Sequence, residues 1–508
     1  MNARQSPLFE PVLWDGDGFR VLDELSVPQK IDYIRVTDVS EALTAVREMK
    51  TRAYGQVLTF LYSVALVAQQ YREKDPEPLR QRIAQLTQQF CDVRPTFDFS
   101  GLGRSIAEWF DQAPSDGTVG ENIGRQARES GAQITRARSA RAKRAAALLP
   151  NPARVLTHCN VSGELVAVAN YCKQLGKKFS VIATETRPYL QGARLTAWEL
   201  AQADVPVALI PDCAVAQVMA RGEVNAVLVG ADRSAQNGDI INKVGTYPIA
   251  LMANEYGVPF HALVQNPRSL ARGGDVPIEE RPAVELLFFH GRPLVASNQG
   301  GIKARYPAFD VTPAALITHL VGFDDLYTPE TFRQKYQTVV NISCDYSERS
   351  RKYFLIYGIP ATSQYSYLMS ALKAAQSESL LVPEMRPQLW GAQTVLPGLL
   401  ERKAAVTLIS DNMMGTFFAQ GEISKLCLFY SGLTEEGLTG CAGSLIAVRL
   451  ARLHGVPIEL LAGERPPGTP MDHDVSTFLG TKICPTGVTI GAVEDELVPW
   501  ALLNQRQD

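Results

Sequence analysis

The chain has 508 residues, 46% hydrophobic and 20% charged, and its 50 lysines and arginines against 53 aspartates and glutamates give a formal net charge of −3. This length exceeds what a single core usually holds, so we expect roughly two to four domains. No segment reaches the ~18 uninterrupted apolar residues of a membrane span, and near-neutral charge provides no general attraction for nucleic acid. Neither a membrane nor a nucleic acid is therefore expected as a partner.

The N-terminal residues have no basic region followed by an apolar one, so no secretion signal is predicted and we expect a cytoplasmic protein. The eight cysteines are scattered, with no CxxC pair and no Cys/His cluster at zinc spacing. That pattern disfavours both a disulfide scaffold and a structural zinc site. The basic run from Arg136 to Arg144 is predicted to be a solvated helix face.

The first 150 residues are predicted to form a β-hairpin followed by helices. The hairpin is predicted in VLWDGDGFRVLDE, which alternates around Asp-Gly-Asp-Gly. Apolar residues recur at helical spacing in SEALTAVREM, QVLTFLYSVALVAQQY and EPLRQRIAQLTQQF. We therefore assign residues 1–150 to an N-terminal β-hairpin and helical domain.

From residue 154 onward, short apolar runs alternate with helical stretches. The runs are ARVLTHC, KKFSVIATE, VPVALIPD, VNAVLVGAD and VPFHALV. Parallel neighbouring strands need crossover helices, so this alternation predicts an α/β protein with a doubly wound, Rossmann-like parallel sheet in residues 151–330.

The same alternation occurs a second time. A segment of some forty residues beginning at Thr184 is repeated from Pro383, and a constant offset of 199 residues relates Arg187-Pro188 to Arg386-Pro387 and Asp212 to Asp411. We infer an internal duplication, in which residues 340–508 form a degenerate second Rossmann-like copy.

Candidate functional residues follow the predicted strands, at the sheet edge where ligands bind in such folds. Cys159 follows the first strand, where a nearby helix N-terminus would lower a thiol pKa. Asp232 follows the fourth strand beside apolar residues that would raise a carboxyl pKa. Asn242 and Lys243 are predicted to open the helix VGTYPIALMANEY, whose free N–H groups suit a phosphate. Each residue alone fits an ordinary structural role, but together they predict a site.

Neither GxGxxG after the first strand nor GxxxxGK[ST] is present, which disfavours dinucleotide and nucleoside-triphosphate binding. Five motifs resemble the methylthioribose-1-phosphate isomerase family over about residues 10–330: THCN at 157, TETRPYLQGARLTAWEL at 184, GADRSAQNGDIINKVGTY at 230, DVPIEER at 275 and PAFDVTP at 307. That family is related to ribose-1,5-bisphosphate isomerases and to the regulatory subunits of the exchange factor for translation initiation factor two.

The resemblance implies an aldose-to-ketose isomerisation of a pentose 1-phosphate that needs neither cofactor nor metal. It implies that Cys159 moves a proton between C1 and C2 and that Asp232 handles protons on the sugar oxygens. Substrate contacts are implied for five further residues, Arg52, Arg94, Gln191, Asn242 and Lys243. Arg94 matches through Arg94-Pro95-Thr96, which resembles the family's RPT.

Two segments depart from the family pattern. The chain has RAYGQVL from Arg52 where the family usually has RGAPAIG, and CNVSGE from Cys159 where it has CNAG. Both border the substrate in the family, so the identity of the sugar stays open among methylthioribose 1-phosphate, 5-deoxyribose 1-phosphate and ribose 1,5-bisphosphate. Tyr54, in the first segment, acts either on the C5 substituent or in plain helix packing.

The second copy lacks the chemical groups of the first. At the repeat offset Cys159 becomes Gly358, Gln191 becomes Trp390 and Asp232 becomes Ser431, while Asn242 and Lys243 fall within residues 440–442. We therefore predict a catalytically silent copy. It would pack on the first as an intramolecular pseudo-partner, or the protein would form a homodimer.

Two alternatives remain open at this point. One is a non-catalytic regulatory or scaffold protein that resembles the initiation-factor relatives and binds a nucleotide or sugar phosphate. The other is a bifunctional protein whose second copy holds its own ligand near Arg386, Trp390 and Asp411. The pair of Cys159 and Asp232 favours the enzyme, because a pure binding module has no need of both.

Overall fold

The computed structural model describes residues 5–95, 97–111, 118–295, 302–337, 352–375, 379–464, 474–491 and 495–503. The chain divides into two compact units. The first comprises residues 1–147 and 161–175, and the second comprises residues 148–160 and 176–508. Within the described ranges, no helix combines the length and the apolar character needed to cross a membrane.

The first unit combines a small antiparallel sheet with helices. The predicted hairpin is present, and a third strand that the sequence analysis missed pairs with its second strand. The strands are β1 (Val12–Trp14), β2 (Phe19–Leu22) and β3 (Tyr33–Val36). The helices are α1 (Val39–Arg47), α2 (Tyr54–Gln69), α3 (Pro76–Val93), α4 (Phe99–Asp111), α5 (Val119–Leu148) and α6 (Glu164–Gln174).

Part of the basic run on α5 is buried rather than solvated. Arg138 and Arg141 are at most 7% exposed, and both bind the buried carboxylate of Glu164 on α6 at 2.7 and 2.5 Å. A buried guanidinium is stable only when it is paired and hydrogen-bonded. The predicted solvated face is therefore wrong for these two arginines, because both are buried and share the Glu164 carboxylate.

The first parallel sheet of the second unit has the predicted α/β topology. Its parallel core runs β10-β7-β4-β5-β6, so the chain reverses direction across the sheet between β4 and β7. The core strands are β4 (Ala153–Thr157), β5 (Phe179–Thr184), β6 (Val207–Ile210), β7 (Ala226–Gly230) and β10 (Phe260–Leu263). On the β10 side the sheet continues with β15 (His319–Val321) and β16 (Leu326–Tyr327).

The second sheet repeats this order and confirms the duplication. Its parallel core runs β23-β20-β17-β18-β19. These strands are β17 (Tyr353–Tyr357), β18 (Ser379–Pro383), β19 (Val406–Ile409), β20 (Ile423–Tyr430) and β23 (Ile458–Ala462). Tandem Rossmann-like sheets after a hairpin and helices are the predicted fold class.

The smaller elements are duplicated as well. Each copy has a three-stranded antiparallel sheet: β8 (Arg233–Ser234), β9 (Ile240–Lys243) and β14 (Phe309–Thr312), matched by β21 (Gly432–Leu433), β22 (Gly437–Gly440) and β27 (Glu496–Pro499). Each copy also has a short hairpin: β11 (Phe288–Phe289) with β12 (Arg292–Pro293), and β24 (Thr477–Phe478) with β25 (Thr481–Lys482).

The helices of the second unit connect these strands. In the first copy they are α7 (Ala197–Gln202), α8 (Val215–Ala220), α9 (Thr246–Glu255), α10 (Val284–Leu287) and α11 (Pro329–Tyr336). In the second copy they are α12 (Gln364–Ala374), α13 (Leu396–Glu401), α14 (Met414–Ala419) and α15 (Ser444–Leu453).

The two copies exchange edge strands. Strand β13 (Lys303–Ala304), from the first copy, pairs with β19 of the second sheet. Strand β26 (Thr489–Ile490), from the second copy, pairs with β6 of the first sheet. Because β19 is the counterpart of β6, the exchange is reciprocal. The copies, predicted as separate domains 151–330 and 340–508, thus share one compact unit.

Buried ion pairs also cross between the copies. Arg187 binds Glu384 through two hydrogen bonds of 2.8 Å, and Arg386 binds Glu185 through bonds of 2.8 to 3.2 Å. Both arginines are at most 2% exposed. The ring of Phe478 lies over both guanidinium groups, 4.1 and 5.0 Å from its centroid. The second copy therefore packs on the first through charged groups as well as apolar ones.

Candidate functional site

The candidate site lies at the carboxyl edge of the first parallel sheet. Cys159 follows β4 and Asp232 follows β7, the two strands between which the chain reverses direction. Ligands of doubly wound folds bind at this reversal point. Five of the seven predicted site residues belong to the second unit, namely Cys159, Gln191, Asp232, Asn242 and Lys243.

Backbone hydrogen bonds hold Cys159 in the left-handed region, with φ at 64°. Its N–H donates to the hydroxyl of Thr186 (2.8 Å), and its carbonyl accepts from the hydroxyl of Thr196 (2.6 Å). Both threonines come from the segment after β5. The thiol-bearing residue is half-buried, so a ligand can reach it on a backbone that is fixed from one side.

His158 joins the Cys159 turn to the loop that carries Lys243. Its Nε2 donates to the carbonyl of Val244 (2.9 Å), which can only accept, so its Nδ1 accepts from the Thr184 hydroxyl (2.7 Å). Burial lowers the His158 pKa to about 4. The ring is therefore neutral near pH 7, and its two hydrogen bonds link the Cys159 turn to the segment after Lys243.

Lys243 ends strand β9, whereas the sequence analysis placed it at the opening of a helix. It is 5% exposed, and its Nζ donates to the hydroxyl of Tyr306 (2.6 Å). Burial lowers the Lys243 pKa to about 8, and the negative charges of Cys159 and Asp232 partly offset that effect. Within the described ranges no carboxylate lies within ion-pairing distance of this ammonium group.

Tyr189, Arg281 and Glu285, which were not predicted as site residues, form a hydrogen-bonded group beside Lys243. The Tyr189 ring centroid lies 5.8 Å from its Nζ, and Arg281 donates to the Tyr189 hydroxyl (2.9 Å) and to Glu285 (2.6 Å). Tyr189 lies in the RPYLQG motif and Arg281 in DVPIEER. These two motifs could have pointed to Tyr189 and Arg281, because polar and aromatic residues are grouped in them.

Gln191 and Asn242 are both buried, but their side chains differ in the hydrogen bonds that they make. The Gln191 side-chain oxygen is buried and has no hydrogen-bond partner in the described part of the chain. The Asn242 amide donates to the hydroxyl of Thr246 (2.9 Å) and so stabilises the start of α9. Gln191 thus has an acceptor available for a ligand, whereas one N–H of the Asn242 amide is already bonded within the protein.

The N-terminus of α9 is not an open phosphate site. The N–H groups of Gly245 and Tyr247 both donate to Asp310, at 2.7 and 3.1 Å. Asp310 is 3% exposed, and burial raises its pKa to about 7. The predicted free N–H groups are therefore wrong, because a carboxylate on β14 occupies them.

Asp232 is exposed, so the predicted apolar enclosure of its carboxyl group is wrong. Its backbone carbonyl accepts from the Gln265 side chain (2.6 Å), which fixes the turn after β7. Of the apolar residues before it, Val229 is fully buried in β7, whereas Ala231 lies after the strand and is half-buried.

Arg52 and Arg94 belong to the first unit. Arg52 binds Glu24 (3.1 Å) and is partly exposed. Arg94 follows the end of α3, and its Nε is buried without a hydrogen-bond partner among the described residues. Tyr54 is 9% exposed, with the guanidinium of Arg138 4.0 Å from its ring centroid, and its contact with the C5 substituent stays a prediction. Thr96 of the matched motif lies outside the described residues.

A small pocket lies at the corresponding edge of the second sheet. Its lining includes the counterparts of the predicted site residues, namely Gly358, Trp390, Ser431 and Cys441. Burial raises the Cys441 pKa to about 12, so this thiol stays protonated near neutral pH. No basic side chain lines this pocket, which lies entirely within the described residues.

The model of the Initiation factor 2 subunit family matches residues 53–322. Methylthioribose-1-phosphate isomerase of Albidiferax ferrireducens is 37% identical over 322 residues, covering 61% of this chain and 90% of the relative. The enzyme of the same name from Chloroflexus aurantiacus is 35% identical, covering 61% and 92%.

Two solved structures are similar in fold. The 5-methylthioribose 1-phosphate isomerase of Pyrococcus horikoshii aligns with a TM-score of 0.56 at 28% identity, over 66% of this chain and 98% of that one. The delta subunit of translation initiation factor eIF-2B from A. fulgidus aligns with a TM-score of 0.53 at 30% identity, over 63% and 96%.

Proposed function

The chain belongs to the Initiation factor 2 subunit family, and on that premise we propose that it is a sugar-phosphate isomerase. The reaction converts a pentose 1-phosphate, methylthioribose 1-phosphate or a close relative, to the corresponding ribulose 1-phosphate. The relatives that bear the isomerase name match over nine-tenths or more of their own length, so this chain contains a counterpart of nearly the whole enzyme.

The observation that carries the proposal is the buried ammonium group of Lys243, which has a phenol rather than a carboxylate as its partner. A buried charge without a counterion is unfavourable, and a phosphate dianion would compensate it. The unpartnered Gln191 oxygen adds an acceptor for a sugar hydroxyl. Both features match a small polar ligand that carries negative charge.

In the proposed reaction Cys159 and Asp232 divide the proton transfers. The phosphate stays on the C1 oxygen throughout. As the bond between C1 and the ring oxygen breaks, Asp232 protonates the ring oxygen, and the Cys159 thiolate removes the proton from C2 to give a C1=C2 enol. Cys159 then returns that proton to C1 while Asp232 takes the proton of the C2 hydroxyl, so C2 becomes the carbonyl as C1 is reduced, and the atoms and electrons balance without an external oxidant or reductant. The phosphate, held at Lys243, keeps the reacting carbons beside the thiol.

The test is an isomerase assay of the purified protein on methylthioribose 1-phosphate, 5-deoxyribose 1-phosphate and ribose 1,5-bisphosphate. We expect turnover of at least one. Cys159→Ala and Asp232→Asn should each abolish turnover and leave binding of the sugar phosphate within about tenfold of the native affinity.

Two results would contradict the proposal. Turnover retained in both variants would remove the proton-transfer scheme. Tight binding of a sugar phosphate or nucleotide by the native protein, without turnover of any of the three substrates, would instead support the non-catalytic regulatory alternative.

A further inference from the structure

We infer that Asn412, a residue of the catalytically silent second copy, is a positioning residue for the active site of the first copy. The inference rests on the proposed function in one respect, the assignment of Cys159 as the catalytic thiol. The inference goes beyond the proposed function because it gives the second copy a role in the reaction, through the hydrogen bond from Asn412 to the Arg187 carbonyl.

Asn412 reaches from the second copy to the backbone of the first. Its side-chain amide donates to the carbonyl of Arg187 (2.9 Å), and the side chain of Ser410 donates to the Asn412 carbonyl oxygen (2.7 Å). Asn412 is 4% exposed and Ser410 is fully buried. Ser410 therefore fixes which end of the amide faces Arg187.

The segment that accepts this bond also supports the catalytic thiol. Thr186, directly before Arg187, accepts the backbone N–H of Cys159 (2.8 Å). Tyr189, two residues after Arg187, lies beside Lys243. Gln191, four residues after Arg187, carries the unpartnered acceptor described above. A shift of the Arg187 carbonyl would thus be transmitted to both ends of the site.

Asn412 also packs against the turn that follows Lys243. A Cβ atom built on Gly245, whose φ is +106°, would lie 2.9 Å from the Asn412 Cβ and 2.9 Å from the His158 ring. The close approach requires glycine at this position. One side chain of the second copy thus touches the two segments that present Cys159 and Lys243.

The reverse contact is weaker. At the mirrored position Cys213 of the first copy donates its thiol to the carbonyl of Arg386 (3.3 Å). A thiol is a weak donor compared with an amide, and Pro211 stands where the second copy has Ser410, so nothing equivalent orients it. The interface therefore places its oriented amide on the side that faces the catalytic copy.

The experiment compares Asn412→Ala with its mirror-image control Cys213→Ala in the full-length protein. Both remove one interface side chain, but only the Asn412 side chain binds the backbone of the catalytic copy, whereas the Cys213 side chain binds the backbone of the second copy. We expect Asn412→Ala to lower kcat by about tenfold or more with KM within about threefold. Cys213→Ala should keep kcat within about twofold, with a similar loss of melting temperature.

A second readout does not depend on turnover. The rate at which iodoacetamide alkylates Cys159, resolved by peptide mass spectrometry, should change at least threefold in Asn412→Ala and less than twofold in Cys213→Ala. Asn412→Cys, which gives both faces the same contact, should fall between the native protein and Asn412→Ala. That milder variant also tests the idea if the alanine variant does not fold.

Equal losses of kcat in the two alanine variants, in proportion to their melting temperatures, would overturn the inference. So would native kcat and native Cys159 alkylation in Asn412→Ala or Asn412→Cys. A native protein that is inactive on every sugar phosphate, with Cys159 alkylation altered in Asn412→Ala alone, would overturn the proposed function and leave the positioning role standing.

Discussion

Lys243 is buried as a cation, and its ammonium group has a phenol as its hydrogen-bond partner. We expect Lys243→Ala mainly to weaken binding of the phosphate group, with KM raised about tenfold or more and kcat changed less. Steady-state kinetics on the accepted sugar phosphate measures both. A lowered kcat with unchanged affinity would instead place the lysine in the chemical step.

The same residue predicts how substrate capture depends on pH. Burial lowers the Lys243 pKa to about 8, so the free enzyme loses this positive charge as the pH rises through 8. We expect kcat/KM to fall between about pH 8 and 9.5 in the native protein. In Lys243→Arg, whose guanidinium stays charged, the fall over that range should be absent. A fall of equal size in both proteins would assign it to another group.

The residue types at the sheet edge could be predicted from the sequence because they follow strands with clear patterns. Cys159, Asp232 and Lys243 all lie in loops or strand ends near that edge. The role of Asp310 could not be predicted, because its contact with Gly245 joins residues 65 positions apart and depends on the pairing of β9 with β14. The exposure of Asp232 likewise depends on how the chain packs around its turn.

At the scale of elements, the ion pairs between the copies should dominate the stability of their interface. Arg386→Ala leaves Glu185 buried without a counterion, and we expect a loss of about 3–5 kcal/mol in the free energy of unfolding. Arg187→Ala should lower the free energy of unfolding by a similar amount, because it leaves Glu384 buried without its counterion. Urea denaturation of the two variants measures this.

The matched control removes both charges of one pair. Glu185→Gln combined with Arg386→Met should recover much of the loss, because the stranded charge is gone. If Arg386→Ala alone is nearly neutral, the pair contributes nothing to holding the copies together.

Each copy caps one helix with a buried carboxylate. Asp310 accepts the N–H groups at the start of α9, and Glu496 accepts that of Leu445 at the start of α15 (2.8 Å). Burial raises the pKa of both to about 7. A pKa raised on folding gives stability that is fully present below about pH 4 and is lost as the pH rises through 7.

We therefore expect Asp310→Asn to flatten this pH dependence. Between pH 5 and 8 the native protein should lose more unfolding free energy than the variant, because the amide does not ionise. Urea denaturation at several pH values provides the comparison, which cancels the contribution of histidines common to both proteins. Parallel curves for the two proteins would contradict the assignment to Asp310.

Long patterned elements could be predicted from the sequence, and very short ones could not. All five strands proposed for the first sheet are present, because each is a run of apolar residues between helical stretches. Strands β13 and β26 contain two residues each. Two residues show no periodicity, so the strand exchange follows only from the packing of the copies.

At the scale of the whole molecule, the groups proposed for catalysis lie in one copy, whereas both copies contribute residues to the interface between them. The first copy keeps the thiol, the carboxylate and the buried lysine, while the second copy keeps the arginine turn and the interface. The match to the family model ends at residue 322, before the second copy begins. We propose that the additional residues serve the interface through Arg386 and Asn412 rather than a second reaction.

This arrangement predicts how the chain behaves when it is divided. Residues 1–344 expressed alone would leave β6 without β26, Arg187 without Glu384 and an apolar face uncovered. We expect this fragment to form dimers or aggregates, because buried charge and open sheet edges favour association. Coexpression with residues 345–508 should yield a one-to-one complex with isomerase activity near that of the intact chain. Sedimentation and activity assays of both preparations test this, and a monomeric, fully active 1–344 fragment would show that the second copy is dispensable.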